Sequence, residues 1–159
     1  MAVYQFTYQE FDSQAQLSEP FSNLLNEARK ACEKAYAPYS KFNVGAAVLL
    51  ANGEIIKGVN IENASYPVGL CAERSALASV ISSCPNEEII AIAVSYFSAG
   101  GANNTPAFPC GMCRQFISEC EDRNQKPIQL ILAAKEGKIV CIASAKDLLP
   151  FSFGGKDLK

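Results

Sequence analysis

Residues 88–97, with the sequence EIIAIAVSYF, form the stretch that decides the fold. Nearly every position is apolar, which is typical of a strand covered on both faces of a sheet. After a loop rich in Gly, Asn and Pro, residues 110–122 are predicted to form a helix, and residues 128–133, IQLILA, a second buried strand. A helix between two buried strands indicates a βαβ crossover, and therefore a sheet with helices on its faces.

Upstream of this crossover the sequence predicts a helix, a hairpin and a second helix. Residues 19–37 carry apolar side chains at the spacing of one helical stripe. The Asn52-Gly53 pair separates two β-leaning runs, 43–50 and 54–61, and predicts a two-residue type I′ turn with positive φ at both positions. Residues 71–82 are rich in Ala, Ser and Leu and are predicted to be helical.

Downstream of the crossover, residues 139–144 are predicted to form a further strand and residues 145–149 a short helix. The order of elements predicts an α/β fold, an α-β-α sandwich around a central mixed sheet of about five strands. Residues 1–17 have no clear period, so they are treated as an N-terminal extension of unknown structure. Residues 18–159 are predicted to form one domain.

Composition excludes several classes of protein. The chain has 159 residues, 49% of them hydrophobic and 19% charged, which suits one globular domain. A net charge of −2 without a long basic cluster argues against nucleic acid and anionic membrane surfaces as partners. Seven cysteines without a recognisable secretory leader predict a cytoplasmic protein with reduced thiols. Because the chain contains no histidine, its chemistry must use other groups.

The motif with the clearest chemical meaning is Pro109-Cys110-Gly111-Met112-Cys113, a C-x-x-C where a loop becomes a helix. Thiols three residues apart lie on one side of a helix, and helix N-termini favour the thiolate form that binds metals. A redox dithiol and two half-buried structural cysteines are the alternatives for such a pair.

A second motif, Cys71-Ala72-Glu73, also lies at a predicted helix start after a loop. Two helix N-termini can converge on one ion, and three thiolates without an obvious fourth ligand are typical of a catalytic zinc site with an open position. Among the other cysteines, Cys32 fits an apolar helical stripe and Cys141 a buried strand, so we expect neither to be a ligand.

These motifs, in this order, resemble the zinc deaminase signature. The wider sequence is similar to the small homotetrameric cytidine deaminases of pyrimidine salvage. The resemblance covers roughly residues 18–153 and rests on five ordered motifs: APYS at 37–40, FNVGAA at 42–47, NIENA at 60–64, CAER at 71–74 and PCGMCRQ at 109–115.

The resemblance implies that Zn²⁺ is the only cofactor and that Cys71, Cys110 and Cys113 bind it. It also implies that Glu73 shuttles protons without being a ligand. A carboxylate two residues after a ligand can accept a proton from the metal-activated water without displacing it. An acid that merely suits the helix dipole is the alternative for this position.

Two arginines follow the motif residues directly. The resemblance implies that Arg74 donates to a ligand sulfur and offsets the negative charge of three thiolates on one Zn²⁺. We expect Arg114, by contrast, to be a solvated surface residue.

The resemblance also implies substrate contacts. Phe42 is expected to pack on the pyrimidine ring, and Asn60 and Glu62 to bond the ribose hydroxyls, because side chains two residues apart on a strand point the same way. Core packing, turn formation and a solvated acid are the respective alternatives. Phe153 is expected to enter a neighbouring subunit's pocket, with Phe151 as the competing residue.

The predicted function is hydrolytic deamination of cytidine and 2′-deoxycytidine to uridine and 2′-deoxyuridine, by a cytoplasmic homotetramer without nucleic-acid or membrane partners. Three alternatives stay open at this point: another branch of deaminases, a non-catalytic zinc module, and a dithiol redox protein. The NIEN motif favours a free ribose, and the acid beside three cysteines favours catalysis. A measurement of bound metal distinguishes the redox hypothesis from the other two.

Overall fold

The structure, a computed structural model, describes residues 1–158. Three α-helices and six strands are present in this part of the chain. The helices are α1 (Glu19–Cys32), α2 (Ala72–Ser83) and α3 (Gly111–Asn124). The strands are β1 (Tyr8–Phe11), β2 (Phe42–Leu50), β3 (Ile55–Val59), β4 (Ile89–Ser98), β5 (Gln129–Ala133) and β6 (Ile139–Ile142).

All six strands form one sheet in the order β1-β6-β5-β4-β2-β3. β4 and β5 pair in parallel, with Ala91 opposite Gln129, and the four other pairings are antiparallel. Because α3 connects the two parallel strands, the predicted βαβ crossover and mixed sheet are confirmed.

Helices cover both faces of the sheet. Ala91 and Ala93 of β4 belong to the core cluster that contains Leu24, Leu25 and Ala28 of α1. The alternate residues Ile92 and Val94 belong to the cluster built with α2 and α3. Burial on both faces explains why the β4 sequence lacks polar alternation, and it confirms the α-β-α sandwich.

The sheet has six strands instead of the predicted five. The additional strand is β1, which pairs antiparallel with β6 at the sheet edge, Tyr8 lying opposite Ile142. Three of its four residues are exposed, so an edge strand of this kind leaves no hydrophobic alternation in the sequence. The domain boundary at residue 18 stays a prediction.

The hairpin between β2 and β3 differs from the predicted two-residue turn. Leu50 N donates to Glu54 O at 2.9 Å and Gly53 N to Leu50 O at 3.0 Å, which closes a three-residue loop. Gly53 has a φ of 88°, whereas Asn52 does not have a positive φ. The type I′ prediction is therefore wrong, because a three-residue loop needs a left-handed residue only at its last position.

Two predicted helices are also modified. The first ends at Cys32 instead of residue 37, because Tyr36 leaves the helix to bond Asn60 O and Glu62 N through its backbone. The C-terminal helix is a single 3₁₀ turn, Ala145–Leu148.

Every helix within residues 1–158 is too short or too polar to cross a membrane.

Candidate metal centre

The N-termini of α2 and α3 meet on one side of the sheet and bring three cysteines together. Cys71 is the N-cap residue of α2, and Cys110 is the N-cap residue of α3. Cys113 lies in the first turn of α3. Both N-caps have extended backbone conformations, as expected where a loop enters a helix.

The spacing of the three sulfurs suits a tetrahedral ion. The Sγ atom of Cys110 lies 3.9 Å from that of Cys71 and 3.6 Å from that of Cys113, and all three lie within 4.8 Å of one another. Zinc–sulfur bonds of about 2.3 Å in tetrahedral geometry place sulfurs about 3.8 Å apart. The cluster therefore fits Zn²⁺, with three protein ligands and one position left for another molecule.

The charge of the cluster also favours a cation. A hydrogen bond from Cys113, reinforced by Arg74 and Cys110, lowers the pKa of the Cys71 thiol to about 5. The pKa of the Cys113 thiol is raised by its bond to Cys71, by burial and by the charge of Glu73. Ionisation of one thiol therefore disfavours ionisation of its neighbour. A bound dication offsets this repulsion and lets all three thiols ionise together.

Arg74 lies beside one sulfur of the cluster. Its Nη2 atom donates to Gly69 O at 3.2 Å and lies 3.7 Å from Cys71 Sγ. The hydrogen bond to Cys71 raises the pKa of the guanidinium further. The side chain therefore adds positive charge beside a sulfur of the cluster.

Arg114 is not the solvated surface residue that the sequence suggested. It is half-buried, and it donates from Nε to Pro109 O at 2.8 Å and from Nη1 to Leu148 O at 3.1 Å. The loop before α3 leaves carbonyl groups without helical donors, and Arg114 satisfies one of them. This arginine joins the loop that carries Cys110 to the C-terminal segment.

Glu73 is a buried carboxyl group, only 6% exposed, in the first turn of α2. Burial raises its pKa above the usual value of 4.5. It lines the same cavity as Cys71 and Cys110. A carboxyl group in this place can exchange protons with a molecule bound between it and the cluster.

The cavity beside the cluster has a volume of about 680 Å³, which is within the range of small-molecule sites. Its lining combines polar side chains with apolar ones, among them Val44 and Leu70. The predicted substrate residues among its lining are Phe42, Asn60 and Glu62. The structure therefore brings these three residues to the same cavity as Glu73 and the cysteines.

Asn60 and Glu62 also hold the backbone around the start of β2. Asn60 accepts from Val44 N at 2.7 Å and donates to Phe42 O at 2.9 Å. Glu62 accepts from Tyr39 N at 2.9 Å and from Ser40 N at 3.2 Å, and Ser40 Oγ donates to its other oxygen. These bonds, led by the Ser40 hydroxyl, lower the pKa of Glu62.

Phe151 and Phe153 lie outside the cavity of their own chain. The Phe153 side chain is 60% exposed and that of Phe151 98%. The backbone oxygen of Phe153 accepts from Gln115 Nε2 at 2.9 Å, which attaches this segment to α3. Their entry into a neighbouring subunit's pocket stays a prediction.

Three further aromatic residues near the cavity were not predicted from the sequence. Tyr39 and Phe108 line it, and Tyr96 packs against Phe42 from behind. The sequence does not indicate Tyr96 as a site residue, because it lies within the apolar run of β4, where it resembles a core residue.

Zinc binding can be tested with two buried cysteines on the same helix. Replacing Cys113 with Ala should weaken Zn²⁺ binding by at least about 100-fold, because it removes one of three ligands. Cys120→Ala, seven residues further along α3 and outside the cluster, should keep one Zn²⁺ per chain. Metal analysis of both purified variants and competition with a chelator make the comparison. Equal zinc content in the two variants would contradict the ligand assignment.

Comparison with known proteins agrees with this geometry. Residues 18–126 match the family model described as the cytidine and deoxycytidylate deaminase zinc-binding region. A cytidine deaminase of Halalkalibacterium halodurans is 41% identical over 135 residues, which are 85% of this chain and 95% of the relative. The crystal structure of a Burkholderia pseudomallei cytidine deaminase is 39% identical, covers 82% of this chain and 97% of its own, and has a TM-score of 0.71. That of Mycobacterium tuberculosis is 30% identical, covers 84% and 97%, and has a TM-score of 0.64. The chain therefore belongs to the zinc-binding cytidine and deoxycytidylate deaminase family.

Proposed function

We propose that this protein is a zinc-dependent cytidine deaminase that hydrolyses cytidine and 2′-deoxycytidine to uridine and 2′-deoxyuridine with release of ammonia. The observation that carries the proposal is a three-cysteine cluster beside a buried carboxyl group, both at one cavity of nucleoside size. Relatives named cytidine deaminase that align over most of their length support the same reaction.

Cys71, Cys110 and Cys113 would hold Zn²⁺, which when bound supplies a Lewis acid that lowers the pKa of water to near neutrality. Glu73 accepts a proton from the attacking water and donates it to N3 of the pyrimidine while the oxygen bonds to C4. Glu73 then takes the proton of the new C4 hydroxyl and passes it to the exocyclic amine. The C4–N4 bond breaks, ammonia leaves and the C4 carbonyl forms. The raised pKa of Glu73 suits a group that must both accept and donate protons near neutral pH.

The remaining residues orient the nucleoside. Phe42 offers an aromatic surface to the pyrimidine ring. At the sugar, Glu62 accepts hydrogen bonds and Asn60 accepts or donates them. Glu62 already receives three hydrogen bonds, but a carboxylate can accept about four, so capacity remains for a hydroxyl. Arg74 offsets part of the negative charge of the thiolates.

The direct test is the absorbance change of cytidine with purified enzyme, before and after treatment with a zinc chelator. We expect turnover that disappears on chelation and returns with added Zn²⁺. A protein that holds one zinc per chain but leaves cytidine and 2′-deoxycytidine unchanged would contradict the proposed function.

Replacing Glu73 with Gln should abolish nearly all turnover while leaving zinc bound, because Gln keeps the shape but cannot shuttle protons. Loss of a general acid–base group costs about 10²- to 10⁴-fold in rate, and we expect the upper end because one residue serves several transfers. The control is Glu119→Gln, an exposed acid on α3 that should leave kcat unchanged. A Glu73→Gln enzyme with more than about a tenth of wild-type kcat would refute the shuttle.

Glu62 decides between nucleoside and nucleotide substrates. Its carboxylate is ionised at neutral pH, as an ordinary Glu is, and the bond from Ser40 lowers its pKa further, so it attracts hydroxyl donors and repels a nearby phosphate. Cytidine should therefore have a much higher kcat/KM than cytidine 5′-monophosphate. Glu62→Gln should lower kcat/KM for cytidine by an amount that corresponds to about 1.5–3 kcal/mol of lost transition-state stabilisation.

The control for Glu62 is Ser40→Ala, which removes a donor of the turn but leaves the carboxylate. We expect Ser40→Ala to lose much less activity than Glu62→Gln, because the turn keeps its two backbone bonds to the carboxylate. Equal kcat/KM for nucleoside and monophosphate, or an unaffected Glu62→Gln variant, would indicate another branch of the family.

We propose further that the enzyme is a cytoplasmic homotetramer of pyrimidine salvage. All seven cysteines are unpaired in the described residues, which suits a reducing compartment. Large apolar side chains are exposed around the cavity mouth, which is typical of a subunit interface. They are Tyr39, Tyr66, Phe108 and Met112. A substrate without a phosphate suits the recovery of free nucleosides.

Truncation after Pro150 should raise KM, because it removes Phe151 and Phe153, the two aromatic residues expected to complete a neighbouring pocket. Kinetics on the truncated chain, together with light scattering on both proteins, test the assembly. A fully active monomer would contradict the homotetramer, and an unchanged KM after truncation would contradict the contribution of this segment.

A further inference from the structure

The ring of Phe42 is stacked on a second aromatic ring. The centroid of Tyr96 lies 4.6 Å from that of Phe42, and the two planes are inclined by only 18°. The strand register explains the contact: Val44 of β2 lies opposite Tyr96 of β4, and Phe42 opposite Ser98. The two rings are therefore diagonal neighbours on the same face of the sheet.

Tyr96 covers one face of Phe42 and is itself only 8% exposed. A molecule in the cavity can approach Phe42 only from its free side, because the stacked ring occupies the other. The position of the Phe42 surface is thus set by the position of Tyr96. A smaller residue at 96 would leave space into which the Phe42 ring can move.

The hydroxyl of Tyr96 contacts a different part of the site. It donates to Thr105 O at 2.9 Å, and Ala102 O lies 3.4 Å away. Both carbonyls belong to the loop that connects β4 to α3. The same loop continues through Phe108, which lines the cavity, to Cys110 at the N-cap of α3.

We propose that Tyr96 is a positioning residue that fixes both walls of the cavity relative to each other. Its ring supports Phe42 on the β2 side, and its hydroxyl tethers the loop that leads to Cys110. Tyr96 does not line the cavity and touches no reacting atom. The role of the ring rests on the proposed function, because it concerns a pyrimidine held against Phe42.

The two parts of the side chain can be separated by substitution. Tyr96→Phe keeps the stacked ring and removes the tether, whereas Tyr96→Leu removes both. Aromatic pairs and single hydrogen bonds each contribute on the order of a 3- to 10-fold change in an equilibrium. We therefore expect Tyr96→Leu to raise KM for cytidine about 3- to 10-fold, and Tyr96→Phe to leave KM within about twofold.

The tether is measured independently of activity. Hydrogen exchange of the backbone amides in residues 99–109 should become faster in Tyr96→Phe than in the wild type, because the loop loses a buried anchor. The matched control is Phe97→Leu, the next residue of β4. Phe97 lies on the opposite face of the sheet, where Lys135 contacts its ring, and it does not line the cavity. This control should change neither KM nor the exchange of the loop.

All proteins are compared as zinc-loaded enzymes, with zinc content and thermal unfolding recorded so that a misfolded variant is recognised. Equal KM values for Tyr96→Leu and wild type would overturn the support of Phe42, and unchanged exchange in Tyr96→Phe would overturn the tether. If Tyr96→Leu does not fold, Tyr96→Met replaces it as the variant without an aromatic ring, and a KM equal to that of the wild type overturns the support by the ring. A wild-type enzyme that binds zinc without deaminating cytidine would refute the proposed function and the support of substrate together, while the exchange data still decide the tether.

Discussion

The repulsion among three sulfurs is the constraint on which the site depends. Cys71, Cys110 and Cys113 are held within 4.8 Å of one another, where three negative charges would repel strongly. The fold offsets this repulsion with two helix N-termini, whose free N–H groups favour negative charge, and with the guanidinium of Arg74. A zinc ion supplies the rest, so metal binding and the local structure stabilise each other.

Two features of the fold and the site could be predicted from the sequence alone. Loop-to-helix transitions at Cys71 and Cys110 place thiols at helix N-termini, a local rule that needs no knowledge of the tertiary structure. The apolar run of β4 likewise predicted a strand buried on both faces. The first pattern depends only on neighbouring residues along the chain. The second reflects burial on both faces of the sheet, which the run of apolar residues shows directly.

Features that depend on a partner elsewhere in the chain were not predictable. β1 is a strand because β6 offers a free edge, not because its own residues alternate. Arg114 is half-buried because carbonyls of Pro109 and Leu148 happen to lie within reach. The pairing of β1 with β6 and the bond from Arg114 to Leu148 both join segments distant in sequence, and no local period indicates them.

A close approach between β3 and α2 connects the segment that carries Asn60 and Glu62 to the helix that begins after Cys71. A Cβ atom on Gly58 would lie 2.2 Å from Ala76 N, so α2 can occupy its position only because residue 58 has no side chain. Gly58 lies two residues before Asn60, and Ala76 lies three residues after Glu73. The same backbone contact therefore helps to set the distance between Glu73 and the pair Asn60 and Glu62, which line the same cavity. In the proposed mechanism, proton transfer by Glu73 requires hydrogen-bond distances of about 2.6–3.2 Å, so a side chain at position 58, which would push α2 away from β3, should impair turnover.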